Sequence, residues 1–303
     1  MTTPVLDPTR CAICQTADNS SELHPANFSV EALNPEVFSA RRLPDRVHYR
    51  MARCNTCGLV RSDPVAHPDL LAQLYQRSEF TYASHTEDLR RTYGRYLRRL
   101  ERHRVRKGSL LEIGCGNGFF LGEALDQGYA EVHGVEPSSD AIAHADERVR
   151  KQIVCDMMRP GLFAPASFDV ICLFQVFDHI SDPHAVIEEC ARILRPGGLV
   201  LFFQHNIRAV SARLLGELSP IIDIEHTFLY CAQTLARLCA LSGLETIDSG
   251  AAFNTYSLSY LVRLLPLPSA IKKMAIATME KTPIGRVRLN VPLGNMYLIA
   301  GGN

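Results

Sequence analysis

A chain of 303 residues, 47% apolar and 21% charged, has enough material for one large α/β domain and an appendage. Its formal net charge is zero, so nothing global points to nucleic acid or to an acidic membrane surface. The opening MTTPVLDPTR lacks the apolar centre of a signal peptide, and no apolar run approaches the roughly 20 residues of a transmembrane helix. Without a secretion signal, disulfides are not expected among the ten cysteines, and the expected location is the cytoplasm.

In chain order, the first feature is a pair of C-x-x-C turns, Cys11-Ala-Ile-Cys14 and Cys54-Asn-Thr-Cys57. Each turn can present two thiolates to one metal, and together they can close a tetrahedral Cys₄ site of structural zinc type. The alternative is four free thiols or a redox pair, but neither turn adjoins a βαβ pattern. From His24 to Cys54 there is little regular pattern before His48 to Arg53. The remaining cysteines, Cys115, Cys155, Cys172, Cys190, Cys231 and Cys239, fall inside strand or helix patterns and read as small buried residues.

HPDLLAQLYQ starts a helix, with Pro68 and Asp69 in its first turn. Residues 87–106 have Leu89, Tyr93, Tyr96, Leu97 and Leu100 on one face at helical spacing. Arg90, Arg91, Arg95, Arg98, Arg99, Arg102, Arg104, Arg106 and Lys107 lie largely elsewhere. They read either as a face for an anionic substrate or nucleic-acid phosphate, or as a solvated face balanced by acidic residues.

Leu110 to Phe120, LLEIGCGNGFF, then reads as a buried strand, a glycine turn and the start of a helix. Glycines at alternate positions allow a sharp turn and close approach of a ligand, and the next helix offers free N–H groups beside it. The spacing is G-x-G-x-G, not the G-x-G-x-x-G of dinucleotide enzymes. A second strand, Glu131 to Val135, ends in Glu136, roughly 20 residues on, where a carboxylate can accept from two ribose hydroxyls. The competing reading is that Glu136 caps the next helix through Pro137 and Ser138. A third apolar run, Gln152 to Cys155, precedes Asp156, and Phe168 to Phe174 forms a fourth strand. QVFDHISDP and LRPGGLVLF follow.

The EIGCGNG turn, the acidic end of the second strand, FDVICLFQVFDHISDP and LRPGGLVLF together resemble class I S-adenosylmethionine (SAM) dependent methyltransferases. The match spans residues 108–205. Bacterial methyltransferases of small molecules also begin with C-x-x-C pairs in a context similar to YRMARCNTCGLVRSDP. The resemblance implies an α/β, Rossmann-like seven-stranded sheet with a small N-terminal Cys₄ zinc module and a helical C-terminal insertion. The implied division is 1–65 zinc module, 66–107 helical lid or linker, and 108–303 methyltransferase domain with an insertion at about 255–285. By the same resemblance CAQTLARLCALSGLETIDSG is the helix before the sixth strand, and NMYLIA (295–300) is a seventh, antiparallel edge strand.

The resemblance further implies SAM and structural Zn²⁺ as cofactors. Gly114, Cys115, Gly116 and Gly118 would line the methionine part of SAM, with Glu112 orienting its sulfonium end. Glu136 and Pro137 would meet the ribose, and Asp156 and Met157 the adenine. Phe174 and Gln175 would also contact the cofactor, and Tyr82 would close over it. His179 in VFDHISDP is either a general base or a histidine that fixes its loop. His205 and His226 are further catalytic candidates, expected with Asn206 and Glu225 in acceptor-site loops on the same side. Their spacing demands no catalytic metal. The expected activity is methyl transfer to the O, N or C of a small-molecule acceptor, a sugar nucleotide or secondary-metabolite intermediate. An RNA methyltransferase and a SAM-binding protein without methyl transfer are the alternatives. Nucleic acid and membrane are not expected as partners; the apolar insertion suits an acceptor lid, a homodimer contact or packing on the core.

Overall fold

The computed structural model describes residues 6–28, 47–76, 86–258, 262, 279 and 282–302; Tyr82 and most of the expected insertion lie outside them. Short strands come first: β1 (Leu6–Asp7), β2 (Ser20–His24), β3 (Met51–Cys54), β4 (Val60–Ser62) and β5 (Val65–Ala66). Helices α1 (Pro68–Gln76) and α2 (Thr86–Arg99) follow. The chain then runs β6 (Ser109–Ile113), α3 (Phe119–Asp126), β7 (Glu131–Val135), α4 (Ser139–Ala143), α5 (Glu147–Arg150), β8 (Ile153–Val154) and β9 (Phe168–Phe174). It ends with α6 (Pro183–Ile193), β10 (Leu194–His205), α7 (Val210–Leu215), β11 (Phe228–Leu229), α8 (Ala232–Leu241), β12 (Leu244–Ser257) and β13 (Arg288–Gly302).

Seven strands form one sheet in the order β12-β13-β10-β9-β6-β7-β8. All are parallel except β13, which runs antiparallel to both β10 and β12. Every residue of β6 and β9 is buried, as expected of central parallel strands covered on both faces. On one face α6 and α8 pack with Leu111, Ile171, Val200 and Leu298; Cys11, Cys54 and Leu59 join this cluster. On the other, α2 and α3 pack Tyr93, Leu97 and Phe120 against Val170, Phe174 and Phe203. Burying each such side chain contributes roughly 1.5–3 kcal/mol.

The helices start where local chemistry directs. Asp182 accepts from Ala185 N at 3.1 Å and Pro183 opens α6. Glu87 and Asp88 lie in the first turn of α2, and Arg98 and Arg99 in its last, complementing the helix dipole. This helix stops at Arg99 and tightens into a 3₁₀ turn over Leu100–His103, ending on Arg104 at φ 55°, short of the expected Arg106. Most of its arginines meet carboxylates: Arg90 lies 2.7 Å from Glu123, Arg91 2.7 Å from Glu87 and Arg99 2.8 Å from Asp248, while Arg95 donates to Asn290 and to Phe253 O.

Two expectations need correction. NMYLIA is not an edge: β13 lies between β10 and β12, and β12 is the edge. Met296 and Leu298 face one core cluster and Tyr297 and Ile299 the other, so the segment needs cover on both faces and a neighbour on each side. Cys155 is exposed, because β8 is only Ile153–Val154 and Cys155 falls just beyond it. Strand β2 pairs with β3 as an outer strand, and its SSELH is mostly unburied.

A second, four-stranded antiparallel sheet has the order β11-β4-β3-β2. Phe228 pairs with Arg61 and Leu229 with Val60, so a segment following β10 completes the sheet that carries the second C-x-x-C turn. Among the described residues no helix is long and apolar enough to cross a membrane.

Candidate active site

The large sheet reverses direction at β6: the chain moves to β7 and β8 on one side, then crosses to β9 on the other. The crevice at the carboxyl ends of β6 and β9 is where open α/β sheets place ligands. Gly114, Gly116 and Gly118 turn there with φ of 72°, 54° and 68°, a region that disfavours a side chain. A Cβ on Gly114 would lie 2.6 Å from Val176 Cγ2. Gly118 opens α3.

Acidic groups fasten this turn. Glu136 Oε2 accepts from Gly116 N at 2.8 Å and Oε1 from Ser138 N at 2.9 Å. Glu136 therefore ties the glycine turn to the start of α4, and each oxygen keeps a lone pair for a further donor. Burial raises its pKa, and the two N–H groups oppose that rise. Glu112 is buried, and its Oε2 has no hydrogen-bond partner among the described residues. Burial, then the nearby Glu136 charge, push it well above the usual carboxylate range.

The other residues expected around a cofactor fall into two groups. Pro137, Asp156 and Met157 follow β7 and β8 at the same end of the sheet. Asp156 accepts from Met157 N at 2.8 Å and from Arg159 at 3.0 Å, and the Met157 side chain is open to solvent. Gln175 holds a left-handed φ of 56° where β9 ends, and its N–H donates to Phe203 O at 2.7 Å. Two side chains instead turn into the core. Cys115 is buried against β7, close enough that a Cβ on Gly134 would lie 2.5 Å from its Sγ. Phe174 stacks on Tyr93 with ring centres 4.1 Å apart.

Beside this crevice the three expected histidines converge on Asp178. His205 Nδ1 donates to Asp178 Oδ2 at 2.6 Å. His226 Nε2 lies 3.8 Å from the same oxygen, and His179 Nε2 lies 3.6 Å from Oδ1. Asp178 is buried; burial would raise its pKa, but the facing His226 and His205 outweigh this and hold the carboxyl below its usual range. Burial lowers His179 to about 4, and burial also lowers His226. The Nδ1 of His226 lies 2.8 Å from Ile221 O. A carbonyl only accepts, so Nδ1 carries the proton and the neutral ring presents a lone pair at Nε2.

Sequence reasoning missed Tyr75 and the centring role of Asp178. Tyr75 OH lies 3.0 Å from His179 Nδ1, whereas the sequence marked only the start of its helix. Glu225, expected with the histidines, is buried beside His226. Asp178, His179 and His226 bring ligand-capable atoms within 4.8 Å of one another, so the same set can also hold a cation.

The four knuckle cysteines also come together. Cys11 Sγ lies 3.4 Å from Cys57 Sγ, and Cys54 Sγ 3.9 Å from Cys14 Sγ. A tetrahedron with metal–sulfur bonds of about 2.3 Å has edges of roughly 3.8 Å, so the donors fit a zinc-sized ion.

The profile of the methyltransferase domain family matches residues 85–249, and the chain belongs to that family. It is a SAM-dependent methyltransferase. It is 29% identical over 165 residues to a ubiquinone biosynthesis O-methyltransferase of Azoarcus sp. (strain BH72), covering 50% of this chain and 70% of that protein. The same-named protein of Idiomarina loihiensis is 36% identical over 124 residues, covering 39% of this chain and 48% of that one. Among solved structures, the YcgJ protein from Bacillus subtilis is 17% identical, covers 69% of this chain and 97% of that chain, and has a TM-score of 0.47. The glycine cradle and the orphaned Glu112 oxygen leave polar and backbone groups for SAM at the switch point.

Proposed function

We propose that the protein methylates a hydroxyl of a small-molecule acceptor, a sugar nucleotide or secondary-metabolite intermediate, with His226 as the general base. The observation that carries this reading is the Nδ1 hydrogen bond from His226 to Ile221 O, which leaves Nε2 basic and facing Asp178. When His226 takes a proton, the imidazolium faces the ionised Asp178, which stabilises it. Asp178 is held in place by His205, and His179 by Tyr75. The relatives named O-methyltransferases support oxygen as the methylated atom. Zero net charge and the paired arginines of α2 favour a small molecule over RNA.

SAM supplies a methyl group already activated on a sulfonium, so the chain must bind it, align the acceptor and remove one proton. Gly114, Gly116, Gly118 and the backbone of Cys115 would hold its methionine part, with Glu112 orienting the sulfonium end. Glu136 and Pro137 would meet the ribose, Asp156 and Met157 the adenine, and Gln175 the floor, with Phe174 supporting from beneath. Cys11, Cys14, Cys54 and Cys57 would hold a structural Zn²⁺.

Glu136→Gln should weaken SAM binding by about 1.5–3 kcal/mol, the usual cost of losing hydrogen bonds to a charged group. Calorimetry showing unchanged affinity removes the ribose assignment. The reading as a whole is tested by incubating the protein with methyl-labelled SAM and a cell extract. Label in small molecules supports it; label confined to RNA or protein replaces it.

A further inference from the structure

The cysteine knuckles and the histidine cluster are joined by one short strand. Cys54 N donates to Leu59 O at 2.9 Å and Gly58 N to Cys54 O at 2.9 Å, so the second knuckle closes directly onto β4 without slack. Val60 and Arg61 pair with Leu229 and Phe228. Ser62, the last residue of β4, is buried, and its Oγ donates to His226 O at 2.8 Å. Ser62 N donates to Thr227 O at 2.9 Å, and Thr227 N in turn donates to Asp178 O at 2.9 Å.

The first knuckle grips the same point. Thr9, just before Cys11, donates from Oγ1 to Ser62 O at 2.8 Å. The buried Arg61 guanidinium donates to Thr9 Oγ1 at 3.1 Å and to Ala17 O at 2.8 Å, on either side of the Cys11–Cys14 turn. Both knuckles are thus tied to Ser62, and Ser62 is tied to the backbone of His226.

We propose that Ser62 is a positioning residue for His226, and that metal held by the four cysteines bears on methyl transfer through it. The proposal rests on the reading of His226 as the base. The four cysteines place Ser62; Ser62 places the His226 carbonyl; Ile221 then sets the ring. Without the metal, β4 loses one anchor at its start, and the 226–229 segment is held less firmly through its pairing with β4.

The positional arm of the test needs no acceptor. His226 is observed through its ring Cε1–Hε1 signal in histidine-labelled, zinc-loaded protein, assigned by its disappearance in His226→Gln. SAM affinity is measured by calorimetry alongside. In Ser62→Ala the His226 signal should shift, while the signals of the outlying His144 and His184 stay and SAM affinity remains within about twofold. Removing zinc with a chelator should shift the His226 signal further, and zinc should restore it. An unmoved His226 signal in Ser62→Ala overturns the proposal, as does an unmoved signal in metal-free protein that still binds SAM. If chelation unfolds the chain, the Ser62→Ala arm decides. Unimpaired methyl transfer by His226→Gln would remove the base assignment alone, because the signal shift reports position and not catalysis.

Discussion

Replacing His226 with glutamine is expected to slow methyl transfer by about 10²–10⁴-fold, the usual contribution of a positioned general base. SAM affinity should stay within about twofold, because the glycine turn and Glu136 follow β6 and β7 whereas His226 precedes β11. Glutamine keeps a hydrogen-bonding group of similar reach but cannot hold a proton near neutral pH. The pH profile separates this from a packing defect. Burial lowers the pKa of His226; Asp178 and Asp223 act to raise it, and His205 to lower it further. The net lowered value keeps the ring neutral above the usual imidazole range near 6.5. The wild-type rate should therefore be level above about pH 6.5 and fall as pH drops through the depressed value. The glutamine variant should lack that acid limb. A variant that keeps more than half the rate, or the same limb, would dismiss His226 as the base.

Replacing Cys54 and Cys57 together with serine should take bound zinc from about one equivalent to none and destabilise the protein by several kcal/mol. Structural zinc at thiolate sites has apparent binding free energies of roughly 10–16 kcal/mol, much of which is folding free energy. The loss should not stay local. Cys11, Cys54 and Leu59 belong to the same core cluster as Phe177, Phe228 and Tyr230, so the knuckles form part of one face of the large sheet's packing. Metal analysis and thermal melting check both parts. Wild-type protein without zinc near one equivalent would end the zinc assignment. An unchanged melting temperature in the double variant would show that the metal is bound without holding the fold.

Much of this was readable residue by residue. Glu131–Val135 and Phe168–Phe174 are strands with the expected bounds, because apolar runs between turn signals leave little choice of ends. The glycine turn was legible because three positions with φ of 54–72° tolerate few other residues. The C-x-x-C turns were legible because their spacing brings two thiols to one point, and the four cysteines do come together. Tyr75 carried no such mark: a tyrosine in an apolar helix face reads as packing until His179 is found 3.0 Å from its hydroxyl.

The sequence by itself determined the elements and turns whose causes act within a few residues: strand runs, helix caps, glycine conformations and paired thiols. Only the tertiary structure decided which distant segments meet. It placed β13 inside the sheet, joined Phe228–Leu229 to β4 and brought His179, His205 and His226 onto one buried carboxylate. Local preference depends on φ, ψ and side-chain period. Partnership between remote strands depends on burying both faces of β13 and satisfying the backbone of β4, conditions that no short window of sequence contains.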